Sequence, residues 1–212
     1  MTNQDYKNSA LNALRGHWAP AVVATLIVVL ISIAVSAVSG DGKSFSMQVV
    51  SVILSVGLLS PLSVGYDNAF RLLAESGDDK LIGNMFHIPF GTNYMRVVLG
   101  TLLEAVIITV GLCLFIIPGL IWAFAYAMVP YVLVTRPELS VTEALKTSRL
   151  MMRGHKFDLF YLWLSFIGWG LLCIVTLGIG YLWLAPYMNA AQAAFWEEVS
   201  SQYDSAASGT QM

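Results

Sequence analysis

The chain has 212 residues, 57% of them hydrophobic and 11% charged, with a formal net charge of −2 and a mean hydropathy of +0.70. A soluble domain carries about one-quarter charged residues, so this composition excludes an ordinary water-soluble fold, and the lack of a basic excess excludes a nucleic-acid binder. The length fits one compact bundle, and the surplus apolar surface calls for lipid as its solvent.

The N-terminal stretch carries Tyr6, Ala10, Leu14 and Trp18 at helical spacing, which predicts an amphipathic helix at the membrane surface. Residues 16–40, 44–66 and 159–196 then hold no Asp, Glu, Lys or Arg, and 97–135 holds only Glu104. A crossing helix needs about 20 apolar residues. The first two gaps therefore predict one helix each, and the long gaps two each, divided at Pro118-Gly119 and at Gly178-Ile179-Gly180. The expected fold class is all-α: a polytopic membrane bundle of six transmembrane helices in three hairpins, with spans at 18–38, 47–70, 95–117, 119–135, 157–177 and 180–198. Residues 1–199 form the single domain, and the polar 200–212 segment is expected to be a disordered cytoplasmic tail. Val35-Ser36-Ala37 would pass as a signal-peptide cleavage site, but the long polar lead and the five spans that follow argue for an uncleaved first helix.

Orientation follows from the cations. Lys7, Arg15, Arg71, Lys80, Arg96, Arg136, Lys146, Arg149, Arg153 and Lys156 fall on one side of the predicted membrane, and only Lys43 on the other. That asymmetry places both termini in the cytoplasm, leaves almost no mass outside, and excludes an extracellular domain. The expected location is a bacterial cytoplasmic (inner) membrane.

The hairpins look related. Arg15-Gly16-His17 precedes the first span and Arg153-Gly154-His155 the fifth, and Pro61, Pro130 and Pro186 each lie in the second helix of a hairpin. Such parallel repetition is common in transporter folds. Three prolines within spans predict kinks or breaks.

Several stretches carry a family resemblance: ALNALRGHW at 10–18, LFIIPGLIWAFAYAMVPYVL at 114–133, ELSVTEALKTSRLMMRGHKFDLF at 138–160 and LSFIGWGLLCIVTLGIGYLWLAPYMNAAQAAFWEE at 164–198. Together they resemble the bacterial membrane family known as domain of unknown function 975, across nearly the whole chain and most specifically its second half. The resemblance implies a multi-pass bacterial membrane protein and transfers no activity, substrate or catalytic residue. The Pro-Gly turn and the amphipathic helix are also loosely similar to the membrane part of some glycerophosphodiester phosphodiesterases, whose catalytic domain has no counterpart here.

Glu104 is the one acid deep in a span, eight residues past Arg96 and so about 12 Å from the cytoplasmic edge. An intramembrane charge is costly and marks a candidate site. By the same reckoning Thr25, Ser63, Tyr126, Ser165 and Asn189 lie about 12–15 Å deep, with Gln192 one turn from Asn189. The ligand-binding candidates are thus Glu104, Asn189, Gln192 and Tyr126; a protonated or hydrogen-bonded structural Glu facing the bundle is the alternative for Glu104, and ordinary interhelical hydrogen bonding is the favoured reading for the others. Ser140-Val141-Thr142-Glu143 is a capping-box signature opening an amphipathic helix over 140–156. Its apolar face holds Val141, Leu145 and Met152, and its basic stripe Lys146, Arg149, Arg153 and Lys156 suits anionic headgroups; simple positive-inside orientation also accounts for that stripe. Asp67, Arg71 and Glu75 are spaced to form a solvated ladder, and 78–94 is expected to lie on the membrane surface.

His17, His87 and His155 lack ligand-spaced partners, no phosphate loop or nucleophile elbow occurs, and Cys113 and Cys173 read as apolar packing residues. The expectation is a non-enzymatic protein with no cofactor and no metal. It would bind or carry a lipid or small amphipathic solute in its bundle, with membrane lipids as partners. The alternative is an assembly or regulatory subunit that binds another membrane protein.

Overall fold

The computed structural model describes residues 2–39, 45–78, 80–87, 89–91 and 94–209. Helix α1 (Asn3–Leu14) opens on a capping box: the Thr2 hydroxyl accepts from the Asp5 N–H while the Asp5 carboxylate accepts from the Thr2 N–H at 2.7 Å. The chain then turns at Gly16, whose φ of +88° is a conformation open to glycine, and enters α2 (Trp18–Ser39). The same device recurs. Ser140 and Glu143 form the box of α9 (Val141–Met151), Gly154 turns the chain at φ +95°, and α10 (Lys156–Leu164) follows. The turning glycine lies fourteen residues after the cap in both cases, so the recurrence of Arg-Gly-His reflects a recurring structural unit.

Between these units run α3 (Phe45–Leu54), a π turn (Ser55–Leu59) and α4 (Ser60–Ser76), continuous with one another. They are followed by α5 (Leu81–His87), α6 (Tyr94–Leu114), α7 (Ile116–Tyr126) and α8 (Val129–Thr135), and after α10 by α11 (Ile167–Val175) and α12 (Tyr181–Gly209). Among the described residues there is no strand. Four stretches are long and apolar enough to cross a membrane: Trp18–Ala37, Phe45–Ser76, Tyr94–Leu114 and Lys156–Val175; Gly119–Thr135 is apolar but shorter. The predicted span at 180–198 falls inside α12, which is long but carries more polar residues. The predicted outer loop and its Lys43 fall mainly at 40–44, outside the described residues.

The three prolines act differently. Pro61 has no N–H to donate to the Gly57 carbonyl one turn back; the helix widens into the π turn before it, and that carbonyl accepts instead from the Tyr94 hydroxyl at 2.7 Å. Pro130 opens α8 after a break at Ala127-Met128, and just before the break the buried Ala125 carbonyl accepts from the buried Ser148 hydroxyl at 3.1 Å. Pro186 sits inside an unbroken α12.

Buried side chains concentrate in one zone. Tyr6, Ala10 and Leu14 of α1 pack with Leu62, Phe70 and Leu73 of α4, Leu81 and Met85 of α5, Tyr131 and Leu133 of α8, Leu145 and Met151 of α9, and Phe195 and Val199 of α12. We call this the base. The other zone is a crown of α2, α3, α6, α7, α10 and α11, where Leu30, Val52, Ile117, Leu171 and Ile174 are exposed, and neither α3 nor α11 buries any residue. The accessible surface of 11636 Å² exceeds the roughly 9,700 Å² of a compact soluble protein of this mass. Such an uncovered apolar crown is a surface for lipid, not water.

Two expectations change. The 78–94 segment does not lie on the membrane surface along its length: α5 packs into the base, with Leu81 and Met85 fully buried and Phe86 and Phe90 on the outside. What admits it is Gly65, where an added Cβ would stand 2.0 Å from the Met85 carbonyl oxygen. Residues 200–209 are helical, because α12 runs through to Gly209. Ser201 and Ser205 bond back to its carbonyls, and Arg136 holds Asp204 at 2.6 Å and lies over the Tyr203 ring.

Candidate functional site

The polar layer expected around Glu104 is not knit together. Thr25 on α2 is buried and bonds to Tyr66 of α4 at 2.6 Å and to its own Ala21 carbonyl. Ser63 is exposed and donates to the Ser60 carbonyl, Ser165 donates to the Leu162 carbonyl, and Asn189 donates to the Ala185 carbonyl at 3.0 Å. Ser63, Ser165 and Asn189 each bond locally to the backbone a few residues back, as short polar side chains do, and Thr25 alone of these reaches another helix. Tyr126 and Gln192 are half-buried, and among the described residues no hydrogen bond joins either to Glu104. Glu104 is itself half-buried, with no hydrogen bond or ion pair among the described residues.

The residue that Glu104 does interact with electrostatically, Asp67, was assigned from the sequence to a different grouping. In α4, Arg71 pairs with Glu75 and donates to the Asn68 side chain at 2.9 and 3.0 Å. Asp67 stays out of this ladder and lies close enough to Glu104 on α6 and to Tyr131 on α8 to interact electrostatically with both. The Tyr131 hydroxyl and Asn68 Nδ2 are buried with no hydrogen-bond partner among the described residues. A one-dimensional spacing rule could not have shown this, because i, i+4 spacing says which residues share a face, not which of them turns to a neighbour.

The basic stripe is where the structure brings predicted residues together. Arg149 of α9, Arg153 of the turn that ends the helix at Met151 rather than at 156, and Lys156 of α10 meet around a cavity of about 260 Å³ completed by Ile121, Trp122 and Ala125 of α7. Among the described residues no carboxylate or hydrogen bond engages these three cationic heads. Lys146 lies outside this cavity, beside Glu143. Hydrogen bonds from the Ser140 hydroxyl and N–H hold the Glu143 carboxyl below its usual pKa range, so the start of α9 is fixed. Its opposite face is fixed too: Ala144, Leu145, Ser148 and Met152 are buried in the base.

This cavity shares Ile121 and Lys156 with an apolar groove of about 460 Å³ between α7 and α10, lined also by Ile117, Leu120, Phe124, Phe157 and Phe160. Phe124 and Phe160 meet edge to face with centroids 5.8 Å apart. The aromatic wall of this groove was not singled out from the sequence; its signal was the recurrence of large apolar residues directly beside the last lysine of the stripe.

Two further grooves open on the crown. One, of about 440 Å³, lies between α2 and α12 and is lined by Thr25, Ser32, Ser36, Tyr66 and Tyr181 among aliphatic residues. The other, of about 430 Å³, is bounded by Trp18, Trp169, Cys173, Trp183 and Tyr187. Cys113 and Cys173 are free thiols. At the base, α1 is clamped to α12 by the Tyr6 hydroxyl on Glu198 and by Tyr6 against Phe195, while Lys7 donates to the Ser165 carbonyl and lies over Phe166. Burial raises the pKa of Tyr6 well above its usual range and lowers that of Lys7.

Helices of crossing length, an uncovered apolar crown and lateral grooves, one of them ending among cations, define a helical protein with the build of a polytopic membrane protein. The chain belongs to the DUF975 family, described as a protein of unknown function, whose model matches residues 81–203. That range covers α5 to most of α12, so the Ala10–Trp18 stretch of the resemblance lies outside it. No curated protein and no solved structure matches the chain.

Proposed function

We propose that this is a non-enzymatic, lipid-handling protein of a bacterial inner membrane, with six crossings and both termini in the cytoplasm. It works through grooves on its lateral surface. Gly119–Thr135 and the first part of α12 supply the two crossings beyond the four long apolar helices, with local bilayer thinning around the shorter one. The observation that carries the reading is the set of three grooves of about 430–460 Å³, each bordered by the exposed apolar residues of the crown. Volumes of this order hold one chain-bearing amphiphile. Glu104 lines none of these grooves, so the lateral surface, rather than the polar layer within the bundle, is the better-supported contact for a ligand.

A second reading has its own observation. Helices α3 and α11 bury nothing, and a membrane protein partner would cover them, making the chain an assembly or regulatory subunit. Lipidomics on protein purified gently from membranes separates the two. Lipid that survives delipidation, at a fixed ratio in both the wild type and Glu104→Gln, is the result expected. Complete loss of lipid together with co-purification of another membrane protein would move the assignment to the second reading.

A further inference from the structure

Arg149, Arg153 and Lys156 form a cationic pocket whose floor continues into the groove of α7 and α10. We infer that this is a specific site for an anionic phospholipid, with the headgroup phosphate among the three cations and one acyl chain in the groove. The inference rests on the lipid-handling reading and names the lipid class and the place.

Three features select that occupant. First, the cations are unpaired within the chain among the described residues, whereas Arg71 and Arg136 have carboxylate partners. Guanidinium groups present forked donors that match phosphate oxygens, and Trp122 at the pocket edge adds an interfacial indole. Second, the groove starts at Lys156, on the basic side, and climbs α7 from Phe124 to Ile117. That is about 10 Å of helix, enough for a stretch of acyl chain leading toward the bilayer centre. Third, polar and apolar parts share Ile121 and Lys156, so one molecule spans both. A free phosphate would leave the groove unfilled, and a neutral lipid would leave the cations unmatched.

The platform is also rigid. The capping box fixes the start of α9, its far face is buried in the base, and Ser148 is tied to the Ala125 carbonyl beneath the pocket. A stripe that served only to orient the chain would need neither convergence nor an adjoining groove.

The test is native mass spectrometry of the full chain released from nanodiscs containing equal phosphatidylglycerol and phosphatidylethanolamine. Wild type, an Arg149→Gln/Arg153→Gln variant, an Arg149→Lys/Arg153→Lys variant and Leu120→Trp, which fills the groove, would be compared. The arginines are exposed and leave the base untouched, and thermal unfolding confirms that each variant is folded. Wild type should retain phosphatidylglycerol preferentially, and the glutamine variant should lose that preference by about tenfold or more. The lysine variant should keep part of it, Leu120→Trp should retain less lipid of either class, and added glycerol phosphate should not displace the bound lipid. Equal preference in wild type and the glutamine variant, or displacement by glycerol phosphate alone, would overturn the site while leaving lipid handling standing. No retained lipid in the wild type would overturn both.

Discussion

A methyl group at Gly65 would stand 2.0 Å from the Met85 carbonyl oxygen and 2.6 Å from Pro89 Cγ. The first of these is backbone and cannot swing aside, so α5 would have to leave the groove it occupies on α4. Gly65→Ala should therefore destabilise the protein by about 1–3 kcal/mol, read as a lowered thermal midpoint in detergent. Gly168→Ala, where nothing lies within 4 Å, is the control and should match or slightly exceed wild type. Equal midpoints for the two variants would show that α5 does not pack as described. The sequence marked Gly65 only as one glycine among 17. Glu104 was legible as a lone acid in an apolar run, but its neighbours were not. Depth along a helix can be counted from the residues; rotation about the helix axis depends on packing, and it brings Asp67 within electrostatic reach of Glu104 while the Asn189 amide donates to its own helix.

Among the elements, capping chemistry and prolines were the readable part. The Ser140–Glu143 box was plain in the sequence and forms as expected. Its counterpart at Thr2–Asp5 was not singled out, because Asp in place of Glu at the third position weakens the signature. All three prolines announced irregular helices, but one yields a π turn, one a break and one an unbroken helix. At Pro61 the freed carbonyl is met by a partner from elsewhere in the chain, which local sequence does not reveal. That partner is Tyr94, through the Gly57 carbonyl. Tyr94→Phe keeps the ring and removes only this donor. It should cost about 1 kcal/mol, measured by unfolding of the purified protein. An unchanged stability would mean that the π turn satisfies its own carbonyls.

For the molecule as a whole, charge-free stretches of crossing length gave the helices because a bilayer penalises ionised groups strongly and continuously along each span. The division into packed base and open crown was not legible. Side chains facing a protein core and side chains facing lipid are equally apolar, so composition cannot separate Leu133, fully buried, from Leu171, 60% exposed. The central claim is that this crown lies in the membrane, with the basic base and both chain ends on the cytoplasmic side. Single cysteines at Asn8, Ser46 and Ser205, introduced after replacing Cys113 and Cys173 with alanine, would be exposed to a membrane-impermeant maleimide on intact cells. The account predicts that Ser46→Cys is labelled at once, and that Asn8→Cys and Ser205→Cys are labelled only after permeabilisation. Labelling of either terminal cysteine in intact cells, or protection of Ser46→Cys, would contradict six crossings with both ends inside.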